Sequence, residues 1–340
     1  MPKSNITCCY YPTTVVFVDD NESFLDNVLL ELDENINTRS FTEPTKAIEY
    51  LRQCALVPFA DKYLKSLKHD SEVAERFDYS NVEHSYVDVD IFNIHKEVFN
   101  PRRFNNVIVV VVDYTMPEMN GLEMCRALKN WPFKFVLITG DATLNNAIEA
   151  FNEGLIHQFI PKSSSNFINK IHDIIHSLQE TQFEEFSEVI IKNLSACSSA
   201  SLSDPLLVNF LKNFFKANNI VEYYLINESG CFLMVNARGD LSWMIIKNEE
   251  EMLEYTNSAI DNYGNREIIK ELQSREKVLF LYTEADHINV TVDDWGKYLY
   301  PATKLVGENN TYYYSHIQGV LKSSFFINGI TSYESFLTTK

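Results

Sequence analysis

Short apolar runs alternate with stretches of helical spacing along the first half of the chain. TTVVFV, residues 13–18, is rich in β-branched residues and ends on Asp19 and Asp20. Phe24, Leu25, Val28, Leu29 and Leu32 then recur at helical intervals, so a strand is followed by a helix. Residues 38–41 form a second short strand, and Glu43-Pro44 opens a helix, because proline's missing N–H costs nothing in a first turn. Val107 to Val112 is apolar at every position, the pattern of a strand covered on both faces. Helix is expected at 121–128, strand at 135–138, helix at 143–151, strand at 158–160 and helix at 166–178. Strands and helices alternating through short connections predict a (βα)5 domain of the α/β class, a doubly wound parallel sheet with helices on both faces.

One interval breaks this rhythm. Asp20 and Asp113 stand 93 positions apart, and the excess falls at about residues 55–104, between the second helix and the third strand. Structureless loops of that length are uncommon in compact domains, so the insertion is expected to carry elements of its own. Leu64, Leu67, Val73 and Phe77 suggest one helix there, and Val89, Phe92, Val98 and Phe99 another. They would pack on the flank of the domain or serve as a docking or regulatory element.

Beyond the fifth helix, Phe183, Phe186, Ile190 and Leu194 prolong an apolar stripe, either as a helix packed on its own domain or as a dimerising extension. The serine-rich stretch 195–203 marks a boundary. The expected organisation is a first domain at 1–180, a helical linker at 181–204 and a C-terminal domain at 205–340. Asp204-Pro205 restarts a helix to about Ala217. Residues 221–247 read as a three-stranded meander with turns at NESG and ARGD, and Asn248 with Glu251 fits a capping box opening the next helix. A helix near 268–272, the strand VLFLY and a further strand TYYYSHIQ complete an α+β domain built on an antiparallel sheet.

Composition narrows the function classes. The formal charge is −18, and residues 181–340 alone hold 13 Lys plus Arg against 21 Asp plus Glu, which argues against nucleic-acid binding by this half. Cys8, Cys9, Cys54, Cys125, Cys197 and Cys231 show no C-x-x-C spacing and read as scattered reduced thiols. No run approaches the roughly 20 apolar residues of a membrane span, so a soluble cytoplasmic protein is expected. The C-terminal half shows no helix-turn-helix, glycine-rich nucleotide loop or catalytic triad. His287 and His316 read as structural histidines, Asp293-Asp294 as a helix start, and Trp243, Trp295, Tyr298, Tyr300 and Tyr312 to Tyr314 as core.

The candidate chemistry lies where the parallel strands end. In such sheets functional residues gather beyond the carboxyl ends of the strands, and those ends carry Asp19, Asp20, Asp113, Thr139 and Lys162. Clustered carboxylates repel one another unless a cation sits among them, and an all-oxygen ligand set favours Mg²⁺ over zinc.

VVFVDDN, VVVVDYTMPEMNG, VLITGDA and FIPK, in this order and each at a strand end, resemble the receiver domain of bacterial two-component response regulators over about residues 12–180, the insertion aside. The resemblance implies that Asp113 accepts a phosphoryl group from a phosphohistidine on a sensor histidine kinase or phosphotransfer protein. It implies that Asp20 binds Mg²⁺ directly, that Asp19 does so through water, and that Asp113 and the backbone carbonyl of Thr115 complete the ligands. Thr139 would bond the phosphoryl oxygens, Lys162 would pair with their charge, and Phe159 matches the aromatic switch position. The chain departs from the family where Pro161 precedes Lys162 and Ser163 follows it, since the family's lysine is followed by proline. Thr115 and Asp141 occupy variable positions beside the site. A haloacid-dehalogenase-like phosphatase would need a second acid two residues after Asp113, where Thr115 stands. The expected output is binding, by homodimerisation or by contact with another protein; the alternative is an output enzyme or a small-ligand sensor.

Overall fold

All seven residues of the strand Val107–Asp113 are buried, and this strand is the centre of a five-stranded parallel sheet. The computed structural model describes residues 5–54, 64–67, 86–89, 91–140, 144–193, 201–281, 290–308, 310–319 and 329–339, with backbone alone at 64–67, 86–89 and 92. Thr14–Val18 lies beside the central strand and carries Thr38–Phe41 on its other edge; Lys134–Thr139 and Gln158–Pro161 follow on the opposite side. Every pairing is parallel, which requires the intervening segments to cross over as helices. Glu22–Glu31, Pro44–Cys54, Gly121–Ala127 and Leu144–Asn152 lie in those segments, and Phe167–Asn193 follows the last strand.

Side-chain alternation explains the continuous valine run. Val110 and Val112, with Val16 and Val18, pack against Ala47, Leu51, Leu122, Cys125 and Ala147 from three helices. The alternate residues Val109 and Val111 are also fully buried, as they must be in a sheet covered on both faces. The strands therefore cannot slip by one residue without an equal exchange of faces, and the position of Asp113 at the end of the run is fixed by the core behind it.

The last helix of this sheet, Phe167–Asn193, continues well past residue 178, and its added turns bury Phe183, Ile190 and Ile191. Tyr10 and Tyr11 pack on Phe183, with ring centroids 5.2 and 5.0 Å away. The stripe thus has an intramolecular cover. Residues 194–200, which include most of the serine-rich stretch, lie outside the described residues.

The insertion differs from the expected pair of helices. Leu64–Leu67 and Tyr86–Val89 are strands paired antiparallel to each other, and among the described residues of the insertion α-helix appears only at Ile91–Ile94, followed by a 3-10 turn at His95–Phe99, within the span of the second expected helix. LKSL is drawn into a ladder by the β-branched and aromatic run YVDV, a pairing that the interval between Leu64 and Leu67 does not reveal. Val73 and Phe77 fall outside the described residues.

A second unit is built on an antiparallel sheet. Ile220–Leu225, Phe232–Asn236 and Leu241–Asn248 form the meander, Thr311–Gln318 pairs with the last of these, and Thr303–Val306 lies at the edge. Asp204 caps Pro205–Ala217 by accepting from the Leu206 amide, and Asn248 with Glu251 forms the capping box that starts Glu249–Asp261. Trp243 is fully buried in this unit, and a smaller cluster joins Leu272, Leu279, Trp295 and Leu299. His316 sits against the Phe214 ring at 4.9 Å, and His287 lies outside the described residues.

The units are not two successive blocks of chain. Met1–Cys9, Ile91–His95 and Leu194–Gly329 make one, and Tyr10–Asp90, Lys96–Asn193 and Ile330–Lys340 the other. The final residues return to the parallel-sheet unit through the short helix Tyr333–Thr338. There Tyr333 is buried, its hydroxyl donates to the Asn35 carbonyl at 2.6 Å, and the Asn37 amide donates back to it at 3.1 Å. Arg103, also buried, donates to the Thr331 carbonyl at 2.8 Å, and Phe104 meets the rings of Tyr333 and Phe336. Among the described residues no helix is long and apolar enough to cross a membrane.

Candidate functional site

Two strand ends bring the acidic residues together. Carboxylate oxygens of Asp19, Asp20 and Asp113 all lie within 4.8 Å of one another, with Asp19 and Asp113 buried and Asp20 exposed. Asp19 is held in place by local backbone: its Oδ1 accepts from the Asn21 amide at 2.9 Å, while Asn21 caps the following helix by accepting from Phe24. Asp113 Oδ2 accepts from the Thr115 amide at 3.0 Å. The loop beyond it is tied at both ends, since the Tyr114 amide donates to the Ile138 carbonyl and the Gly121 amide donates to the Tyr114 carbonyl.

Lys162 closes the group from the fifth strand. Its backbone amide donates to the Thr139 carbonyl at 2.8 Å, which sets its position despite the serine that follows it. Its ammonium lies 2.8 Å from Asp19 Oδ2 and 2.9 Å from Asp113 Oδ1. The ring of Phe24 stands 4.5 Å from that ammonium, within cation–π range, and Phe167 meets Phe24 edge-on.

The electrostatics of this arrangement are unbalanced. Burial and then the neighbouring Asp19 charge raise the Asp113 carboxyl above its ordinary pKa of 3.8, although Lys162 and the Thr115 amide pull the other way. Burial works against the charge on Lys162, but its hydrogen bonds to Asp19 and Asp113 prevail and raise its pKa. Three carboxylates face one ammonium. An all-oxygen set with surplus negative charge fits a hard divalent cation such as Mg²⁺.

Thr139 ends the fourth strand beside this group, fully buried, and its hydroxyl donates to the Gly140 carbonyl at 3.0 Å. Phe159 lies half-buried against the sheet's main core, with Phe151 6.2 Å from its ring. Asp141 lies outside the described residues. Asp19, Asp20, Asp113 and Lys162 therefore meet directly, whereas Thr139 and Phe159 sit on the two strands next in order. Two contributors escaped the sequence reading. Phe24 belongs by periodicity to a helix face, and nothing in its spacing announces an ammonium. The Asn146 amide, which donates to the Tyr114 hydroxyl at 2.6 Å, has no sequence signal either.

Gly121 is required by a close approach. A Cβ there would fall 2.3 Å from the Asp113 carbonyl oxygen and 3.1 Å from its carbon, in a strand that cannot retreat. The first turn of the next helix thus presses on the backbone of Asp113 itself.

A family model for the response regulator receiver domain matches residues 72–175. That span begins inside the insertion, which separates VVFVDDN from the remaining motifs. The response regulator LqsR of Legionella pneumophila has a solved structure similar to this chain, at 34% identity and a TM-score of 0.78, over 98% of this chain and 95% of that one. A receiver domain of a Francisella response regulator aligns over 50% of this chain and 98% of its own, at 14% identity and a TM-score of 0.31, too low to carry weight. No curated protein sequence matches.

Proposed function

Because this chain belongs to the response regulators and contains their receiver domain, we propose that it is switched by phosphorylation of Asp113. A sensor histidine kinase or phosphotransfer protein would present a phosphohistidine at the acidic edge. An Asp113 carboxylate oxygen attacks phosphorus, the P–N bond breaks, and the departing imidazole keeps the electron pair and takes up a proton. The observation that carries this reading is the convergence of Asp19, Asp20 and Asp113 with Lys162 bridging two of them.

Mg²⁺, held by Asp19, Asp20, Asp113 and the Thr115 carbonyl, would supply charge neutralisation at the transferring oxygens. Lys162 holds the Asp113 carboxylate in a fixed direction and follows the new negative charge. Thr139 exchanges its bond to the Gly140 carbonyl for one to a phosphoryl oxygen. The space that this rotation vacates lets Phe159 move inward from its half-buried position. Phosphorylation adds roughly −1.5 to −2 charge, so the surface near Phe159 and Phe151 is altered by a purely local event. The output proposed is self-association, giving a homodimer, or binding to another protein; nucleic acid is disfavoured by the charge of −18. The second reading, a ligand-sensing or enzymatic output, draws on a cavity of about 530 Å³ whose lining mixes Ile220 and Leu241 with Asn218, Asp240, Ser242 and His316.

A small-molecule phosphodonor should label the protein only with Mg²⁺ present, and Asp113→Asn should abolish the label. Undiminished labelling of that variant would sink the assignment. Molecular mass measured with Mg²⁺ and beryllofluoride should rise relative to the untreated protein. An unchanged mass would remove self-association as the output.

A further inference from the structure

We propose that His172 and His176 form a second metal site, a two-imidazole clamp on the long helix that takes a borderline divalent transition ion such as Zn²⁺. Residues four apart stand one above the other on a helix, and two histidines at that spacing can share one ion. Here the rings are placed for it. Their centroids are 4.6 Å apart with planes at 63°. With metal–nitrogen distances of about 2.0–2.1 Å, two imidazoles meeting at roughly 90–110° bring their centroids to roughly 4.5–5.2 Å.

The scaffold is rigid, because the pair lies inside the 27-residue helix Phe167–Asn193, anchored by buried Ile171, Ile175 and Leu178. The surroundings also suit a cation. His172 Nδ1 lies 3.6 Å from the Asp173 carboxylate, beyond hydrogen-bond range but close enough for that negative charge to favour a cation beside the ring. Glu180, one turn further on, and Asp33, from the segment after the first helix, are near enough for their charges to act on His176. Among the described residues the only convergent group of three such ligands is Asp19, Asp20 and Asp113. The clamp therefore contributes two protein ligands, and water completes the shell.

The donor chemistry separates this site from the acidic one. Imidazole nitrogen suits Zn²⁺, Cu²⁺ and Ni²⁺, while carboxylate oxygen alone suits Mg²⁺. An ion held by both rings would link successive turns of the helix and oppose fraying there.

The test uses the full-length chain without a histidine tag, in millimolar Mg²⁺, titrated with Zn²⁺ against a chromogenic chelator. A site is expected that survives Asp113→Asn and weakens more than about tenfold in His172→Ala and in His176→Ala, the least loss expected when even an outer partner of a ligand costs that much. Unchanged circular dichroism of the histidine variants ensures that the loss reports ligation. Zn²⁺ binding that persists in the double histidine variant, or that disappears in Asp113→Asn, would overturn the proposal, as would failure of the parent chain to bind.

Discussion

Gly121→Ala should damage the acidic site without touching a side chain in it. The added methyl would lie 2.3 Å from the Asp113 carbonyl oxygen and 3.1 Å from Leu137 Cδ1. Relief requires a shift of about 1 Å, and overpacking of this kind costs about 1–3 kcal/mol. Alanine is otherwise the better helix former by up to about 1 kcal/mol, so without the clash the variant would gain stability. The net expectation is a loss of about 1–2 kcal/mol, a factor of roughly 5–30 in local opening. The shift must also be shared with Asp113, because Tyr114 on one side and Gly121 on the other are hydrogen-bonded in place. Displacing Asp113 Oδ1 by that amount would break its 2.9 Å contact with Lys162. Since a 1 Å misplacement can cost about 10²-fold in rate, phosphodonor labelling should slow by one to two orders of magnitude. Hydrogen exchange of the Val107–Asp113 amides and the labelling rate are the two measurements. Unchanged protection together with an unchanged rate would refute the argument that the helix start presses on Asp113.

Other expectations follow from the same contacts. Tyr333→Phe removes both hydroxyl hydrogen bonds to residues 35 and 37, and should cost about 1–3 kcal/mol, read as faster exchange in the parallel-sheet unit; Tyr333→Ala should cost about 3–5 kcal/mol. Phe24→Leu withdraws the ring beside the Lys162 ammonium, so the Lys162 pKa, followed by nitrogen NMR, should fall, and Phe24→Tyr should restore it. The raised pKa of Asp113 favours its protonated form in the folded state. Its stabilising contribution is complete below the unfolded carboxyl value and vanishes as pH rises through the folded one, so without divalent cation this contribution should decline over the acid range upward from about 4. Asp113→Asn should flatten that decline, and Mg²⁺ should offset it in the parent chain. Lys162, also raised, adds stability that is lost only as alkaline pH passes its folded value, so the two effects do not overlap.

The parallel sheet was legible because its pattern is local and redundant. Four strand ends carrying Asp19-Asp20, Asp113, Thr139 and Lys162 repeat one rule, and the family resemblance rests on the same positions. The meander at 220–248 was legible for a similar reason, with turn residues at regular intervals and a capping box after the last strand. The insertion was not. Leu64–Leu67 and Tyr86–Val89 pair across some twenty intervening residues, and apolar spacing within either segment cannot reveal a partner so distant. Tyr333 and Phe336 near the C-terminus were invisible for a related reason, since a six-residue helix becomes informative only when Asn37, Arg103 and Phe104 are known to lie against it. Phe24 shows the limit for the site, as periodicity assigns it to a helix without saying which face meets a lysine.

The return of residues 330–339 to the parallel-sheet unit bears on how such a protein can be taken apart. Six segments alternate between the two units, so the chain passes from one to the other five times. No single cut separates them. A fragment ending near residue 193 would keep Met1–Cys9 without most of the unit they belong to and would uncover the bed of Tyr333. For a modular signalling protein this is an unusual commitment. Recombination cannot exchange the antiparallel-sheet unit by joining a new tail to an old receiver, and the two parts must be inherited, and altered, together.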